Sequence, residues 1–136
     1  MATVLSLRDL ERLSGVHPDL VRVVRRCAAT AKAPPFTVVQ GLRTAAQQAH
    51  YIAIGASWTQ KSRHLTGHAV DIAPLIDQDG DGDLDVSWHW PHFYPLADAM
   101  FAAAAQENVP VEWGGNWLAG KKDGPHWQLP WSAYPA

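Results

Sequence analysis

Apolar residues recur along the chain with two periods. Leu20, Val24, Cys27 and Ala31 follow one another at three- to four-residue spacing, with Val23 beside them, behind Pro18, which sits where a first helical residue belongs. That pattern predicts an amphipathic helix over 18–31. Ahead of it, Ser6 with Asp9 three residues on has the form of a capping box and predicts a short helix opening at Leu7. Pro34-Pro35 ends this helical part. Phe36-Thr37-Val38-Val39-Gln40 is then β-branched and aromatic, which predicts a strand.

After the turn at Gly41, Thr44 and Gln47 repeat the capping-box pattern ahead of a helix over 45–54 that Gly55 can end. The stretch 56–66 is polar and aperiodic and reads as a loop. Ala69 to Ala73 is a short strand that Pro74 should close. Pro91 starts another helix, whose apolar face of Phe93, Leu96, Ala97, Met100, Phe101 and Ala104 runs to about Asn108. Val109–Trp113 and His126–Leu129 read as strands, with a loop over 114–124 between them. Helices first, then strands and helices mixed with loops, favour an α+β domain over a regular parallel array. The 136 residues suit one domain spanning 1–136, and no internal repeat or linker divides them.

Composition narrows the classes. With 47% hydrophobic residues a core can form, and no run approaches the roughly 20 apolar residues of a membrane span. Cys27 is the single cysteine, so no internal disulfide is available, and its place on the helical stripe predicts a buried, unreactive thiol. Met1–Leu10 lacks the basic and apolar regions of a secretory signal, which predicts a cytosolic product. A net charge of −2 gives no reason to expect a nucleic-acid partner. Seven Trp and seven His are many for this length and point to a shaped pocket with coordinating or titrating groups.

The chemistry concentrates in Ser62-Arg63-His64-Leu65-Thr66-Gly67-His68-Ala69-Val70-Asp71. An imidazole ends a loop, and seven residues on a carboxylate sits inside an apolar strand, where it is costly unless paired or bound to a cation. Far along the chain, Asp123-Gly124-Pro125-His126 adds a second imidazole and a nearby acid. Two His and one Asp satisfy a catalytic zinc site, which keeps one position open. Spacing alone leaves that reading level with a hydrogen-bonded Asp and packed imidazoles, and Asp123-Gly124 is also a common turn dipeptide.

These motifs, with Val38–Thr44 and Val111-Glu112-Trp113-Gly114-Gly115, resemble the zinc peptidases of the VanY/VanX type, and among them most the phage L-alanyl-D-glutamate endopeptidases of the M15 family. The resemblance runs from about Val16 to Leu129. It implies a small antiparallel sheet with flanking helices, the Hedgehog/D,D-peptidase-like fold. It implies zinc held by His64, Asp71 and His126, with Asp123 as the carboxylate that takes a proton from water. In the dipeptidase branch that carboxylate is commonly Glu. Arg43 matches an arginine beside the site that would stabilise negative charge on the substrate, and Gln40 and Ser62 are candidate substrate contacts. His68 reads as a rim or surface residue. Trp113, Trp117 and Trp127 flank the motifs and are candidates to line a cleft, although packing is the commoner role of such side chains.

The function so implied is hydrolysis of the peptidoglycan stem peptide between L-Ala and D-Glu by a monomeric phage-type endolysin, released from the host cytoplasm through a holin. A D,D- or L,D-carboxypeptidase and a non-catalytic wall-binding or signalling module on the same metal fold are the alternatives.

One segment lies outside this pattern. Asp77, Asp79, Asp81, Asp83 and Asp85 alternate through a loop that resembles a calcium-binding EF-hand turn, with Gly82 at the sixth position. Trp88 stands where the bidentate Glu belongs, which excludes a full EF-hand and leaves a reduced Ca²⁺ site or a solvated loop. Without these five acids, the remainder carries 11 basic against 8 acidic side chains, a charge suited to an anionic wall.

Overall fold

The computed structural model describes residues 3–55 and 62–135. Four helices and five short strands follow in the order α1 (Leu7–Leu13), α2 (Pro18–Ala29), β1 (Phe36–Gln40), α3 (Ala45–Ala53), β2 (Ala69–Ile76), β3 (Asp85–Val86), α4 (Phe93–Glu107), β4 (Glu112–Trp113) and β5 (His126–Gln128). The sheet runs β1-β2-β5-β4, with β3 added to the far end of β2, and every pairing is antiparallel. The fold is α+β, as the element order suggests.

Sequence patterning explains most boundaries. Both capping boxes form: Ser6 accepts from Asp9 N–H, and Thr44 from Gln47 N–H, while the two acceptor side chains reach back to the cap N–H groups. Along α2, Leu20, Val23, Val24, Cys27 and Ala28 are all buried and face the apolar side of α4 with Leu96, Met100 and Ala103. Each such side chain contributes roughly 1.5–3 kcal/mol by leaving water, so Leu20→Ala should cost about 2–5 kcal/mol.

Four expectations shift. Helix α2 stops at Ala29 and not at Ala31, because Thr30 turns out of the helix with its N–H on Cys27 O, which leaves Ala31 exposed. Strand β2 passes through Pro74 to Ile76, because Pro74 serves the sheet through its carbonyl, which accepts from Ser87 N–H at 2.9 Å. The strand expected over 109–113 shortens to Glu112–Trp113, since Val109 N–H bonds back to Ala104 O and Pro110 has no N–H to offer. The loop expected over 56–66 falls partly outside the described residues, and Arg63–Thr66 forms a 3₁₀ turn. Gly67 closes that turn at φ 77°, and a Cβ there would meet Gly15 O at 2.2 Å.

Two features of the sheet place chemistry at its centre. Asp71 lies in mid-β2 with Gln40 of β1 on one side and His126 of β5 on the other. The register slips between Val38 and Gln40, a bulge that brings both Val39 and Gln40 to the wall of a cavity over the sheet.

Candidate active site

Three donors converge above the sheet. His64 Nε2 lies 3.1 Å and His126 Nδ1 3.4 Å from Asp71 Oδ1, and the two imidazole rings meet edge to face at 5.0 Å. Both imidazoles are buried. Their outer nitrogens are already committed, since His64 Nδ1 lies 2.8 Å from Gly41 O and His126 Nε2 lies 2.8 Å from Gln128 Oε1.

A carbonyl oxygen only accepts, so both outer nitrogens carry a proton, and in the neutral rings both inner nitrogens turn a lone pair towards Asp71. The Gln128 amide is held in that sense by a long 3.5 Å bond from its Nε2 to Glu112 Oε1. Acceptor facing acceptor at these distances is unfavourable until a proton or cation enters. Two neutral imidazoles, each oriented from behind by an acceptor, and a carboxylate are the donor chemistry of a divalent transition metal, and the residues fit one.

The charges respond to this crowding. Burial alone would raise the Asp71 carboxyl, but the two imidazoles hold it well below the usual range. Burial opposes the imidazolium of His126, and Asp71 more than offsets it, so this group is raised. Asp123 is raised by burial and by the negative charge of Asp71.

A cavity of about 940 Å³ opens over the three donors, and Gln40, Arg43, Ser62 and Asp123 all line it. Arg43 Nη2 stands 3.9 Å from Asp71 Oδ2. Its guanidinium is held on three sides: Nε and Nη2 donate to Gln40 Oε1, Nη1 donates to the buried Gln48 Oε1 at 2.6 Å, and the Tyr51 ring lies 4.5 Å below. Gln40 thus holds Arg43 as well as facing the cavity. Ser62 Oγ caps the 3₁₀ turn by accepting from His64 N–H.

The Glu112–Gly115 segment lies behind the lining and holds the turn that carries Asp123. Trp113 Nε1 donates to Gly124 O at 2.7 Å, and Asp123 N–H donates to Gly114 O. Gly114 permits this approach, because a Cβ there would stand 2.5 Å from Asp123 O.

This chain resembles known proteins over nearly all its length. The pattern of the family described as phage L-alanyl-D-glutamate peptidase matches residues 1–127. The L-alanyl-D-glutamate peptidase of Escherichia phage T5 is 36% identical over 113 residues, covering 80% of this chain and 77% of the phage protein. The chain belongs to the phage L-alanyl-D-glutamate peptidase family. The Serratia marcescens L-Ala D-Glu endopeptidase ChiX has the same fold, with a TM-score of 0.84 and 43% identity over 98% of this chain and 94% of that one. A Listeria phage A118 peptidase of the same name is 32% identical over 97 residues, with this chain spanning 31% of its length.

Against this family background, all seven peptidase-site residues named from the sequence fall in one place: His64, Asp71, His126, Asp123, Arg43, Gln40 and Ser62 line one cavity. The Trp expectation is corrected in part. Trp113 and Trp127 are buried and stack on each other at 5.8 Å, so only Trp117, packed 4.9 Å from the His126 ring, lines the cavity. Trp88, read from the sequence only as the residue that breaks the EF-hand pattern, lines it too, as do Trp131 and Tyr51, which stand in no motif. His68 sits half-buried beside Thr66 and His17, away from the cavity lining.

The calcium expectation does not hold as a five-residue site. Among the described residues only Asp77, Asp79 and Asp81 bring carboxylates together, all exposed, while Asp83 and Asp85 stay outside the group and Asp85 pairs in β3. The three carboxylates are engaged by the loop itself: Asp77 accepts from Gly80 and Gly82 N–H, Asp79 from Asp81 N–H, and Asp81 from Asp83 N–H. The loop is an acidic turn that satisfies its own backbone.

Proposed function

We propose that this chain is a zinc-dependent peptidoglycan hydrolase that cuts the stem peptide between L-Ala and D-Glu. The observation that carries the reading is the pair of imidazoles whose outer nitrogens are tied to Gly41 O and Gln128 Oε1, turning both inner nitrogens and Asp71 towards one point beneath a cavity. His64, Asp71 and His126 would hold the ion. When bound, zinc supplies Lewis-acid polarisation of a carbonyl and lowers the pKa of water towards about 7.

The remaining steps belong to side chains. Asp123, half-buried in the cavity wall with its carboxyl raised, takes a proton from the attacking water and returns one to the departing amine of D-Glu. Arg43 is held rigid by Gln40, Gln48 and Tyr51, so its fixed positive charge meets the oxygen on which negative charge develops. Ser62 and Gln40 shape the substrate side of the cavity beside those groups. The protein acts as a monomer and reaches the wall by holin-type release from the host cytoplasm. No described helix is long and apolar enough to cross a membrane.

The test is mass spectrometry of products from purified muropeptides treated with zinc-loaded protein. Separation of the muramyl-L-Ala portion from a peptide beginning with D-Glu is the expected result. Loss of terminal D-Ala would replace this reading with a carboxypeptidase, and no cleavage at all with a wall-binding module. Asp123→Asn should keep the metal and lose about 10²–10⁴ of kcat. Full retained turnover would remove Asp123 as the base.

A further inference from the structure

Trp131 lies beyond the residues matched by the family pattern, which ends at 127, yet it forms part of the cavity wall. Its position is unusually well fixed for an aromatic ring that is 47% exposed. The Arg63 guanidinium packs 4.0 Å from the ring centroid. Arg63 is buried and is itself clamped, donating from Nε and Nη2 to Leu129 O and from Nη2 to Tyr134 O at 2.6 Å.

The segment that bears Trp131 is tied at both ends. Leu129 N–H donates to His68 O, Tyr134 N–H closes a turn on Pro130 O, and Tyr134 Oη donates to Asp19 Oδ2 at 2.7 Å. The buried Arg63 guanidinium thus holds two carbonyls and one indole in place. A half-exposed, held aromatic ring in the lining of the cavity that also contains the three donors is a stacking platform.

Resting on the peptidase reading above, we propose that Trp131 is a specificity-determining residue that stacks on the muramic acid ring of the glycan strand, so that the enzyme prefers sugar-linked stem peptide. In peptidoglycan the L-Ala nitrogen is acylated by the lactyl group of muramic acid. One residue spans at most about 3.6 Å, so a pyranose ring must lie close to any L-Ala–D-Glu bond being cut. Its C–H groups complement the negative face of an indole. The other side of the scissile bond carries carboxylates, which that face repels, so Trp131 belongs to the sugar side.

The experiment compares kcat/KM of the zinc-loaded protein on a disaccharide-linked stem peptide and on the same peptide without its sugar. Wild type should favour the sugar-linked substrate by about tenfold, and Trp131→Ala should bring that ratio towards one while Trp131→Phe keeps most of it. Equal kcat/KM for the two substrates, or an unchanged ratio in Trp131→Ala, would overturn the proposal while leaving the peptidase reading intact. Cleavage of neither substrate would overturn both. A measurement on wild type alone guards against misfolding of the variant: N-acetylmuramoyl-L-alanine should inhibit at least about tenfold more strongly than L-alanine. Equal inhibition by the two counts against a sugar subsite.

Discussion

The indole N–H of Trp113 donates to the carbonyl oxygen of Gly124 at 2.7 Å, so strand β4 holds the turn that carries both Asp123 and His126. The bond is buried, and Gly124 O has this donor within a wall where water does not compete. Trp113→Phe keeps an aromatic ring stacked between Trp90 and Trp127 and removes only the donor. An orphaned buried acceptor costs about 1–3 kcal/mol, which urea unfolding should read directly. Small displacement of the Asp123 turn should lower kcat by about 10–100-fold with metal content unchanged. A variant with wild-type kcat would show that the turn holds its place without this bond.

Gln128 is the acceptor that keeps His126 in the tautomer needed for a ligand. Gln128→Leu preserves bulk and removes the acceptor, so the ring is free to rotate and to place its proton on either nitrogen. Zinc affinity, measured by competition with a chelator, should fall about 10–100-fold. The unfolding free energy of the metal-free protein should change far less, because Gln128 contributes no core packing that Leu cannot replace. Unchanged affinity would show that Asp71 alone orients His126.

The candidate metal ligands were legible because their chemistry is local in sequence. A carboxylate between Val70 and Ile72 announces itself as a buried charge, His64 sits seven residues ahead of it in the turn that leads into the strand, and His126 opens β5. The fold class was legible for a related reason, since capping boxes, Pro18 and the two hydrophobic periods are short-range signals. What could not be read is what depends on tertiary closure. Gln48 is an ordinary polar residue in an Ala- and Gln-rich helix until Arg43 Nη1 folds back on it. Trp131 becomes a cavity wall only because Arg63 reaches across to Leu129 and Tyr134. Trp113 and Trp127 stand as near the motifs as Trp117 does, yet strand pairing turns them into the aromatic stack beneath the sheet. The calcium-like spacing at Asp77–Asp85 was equally visible, but spacing does not reveal that only Asp77, Asp79 and Asp81 of the five bring their carboxylates together among the described residues.

Cys27 sits on the buried face of α2, and burial pushes its thiol up to about 12. The thiolate is the reactive form, so an aromatic disulfide reagent at pH 8 should not label the native protein on the time scale of minutes. In guanidinium chloride one thiol per chain should react at once. Rapid labelling without denaturant would mean that α2 opens locally far more often than its packing against α4 implies.

Asp9 joins the first helix to the first strand, and its ionisation should be visible in stability. Its Oδ2 accepts from Ser6 N–H, while Oδ1 accepts from Thr37 Oγ1 at 2.5 Å and from Val38 N–H at 2.9 Å. Burial by itself would raise this carboxyl, but the hydrogen bonds outweigh it and the group lies below its ordinary value. A folded pKa below the unfolded value of about 3.9 means that the stabilisation is complete above that value. It is then lost as pH falls through the folded pKa. Asp9→Asn removes the charge and sets an amide N–H₂ against the donors, costing about 1–3 kcal/mol at pH 7. The gap in urea midpoint between wild type and variant should therefore be widest at neutral pH and should narrow below about pH 4. A gap that stays constant from pH 7 to pH 3 would show that the charge of Asp9 adds nothing to its hydrogen bonds.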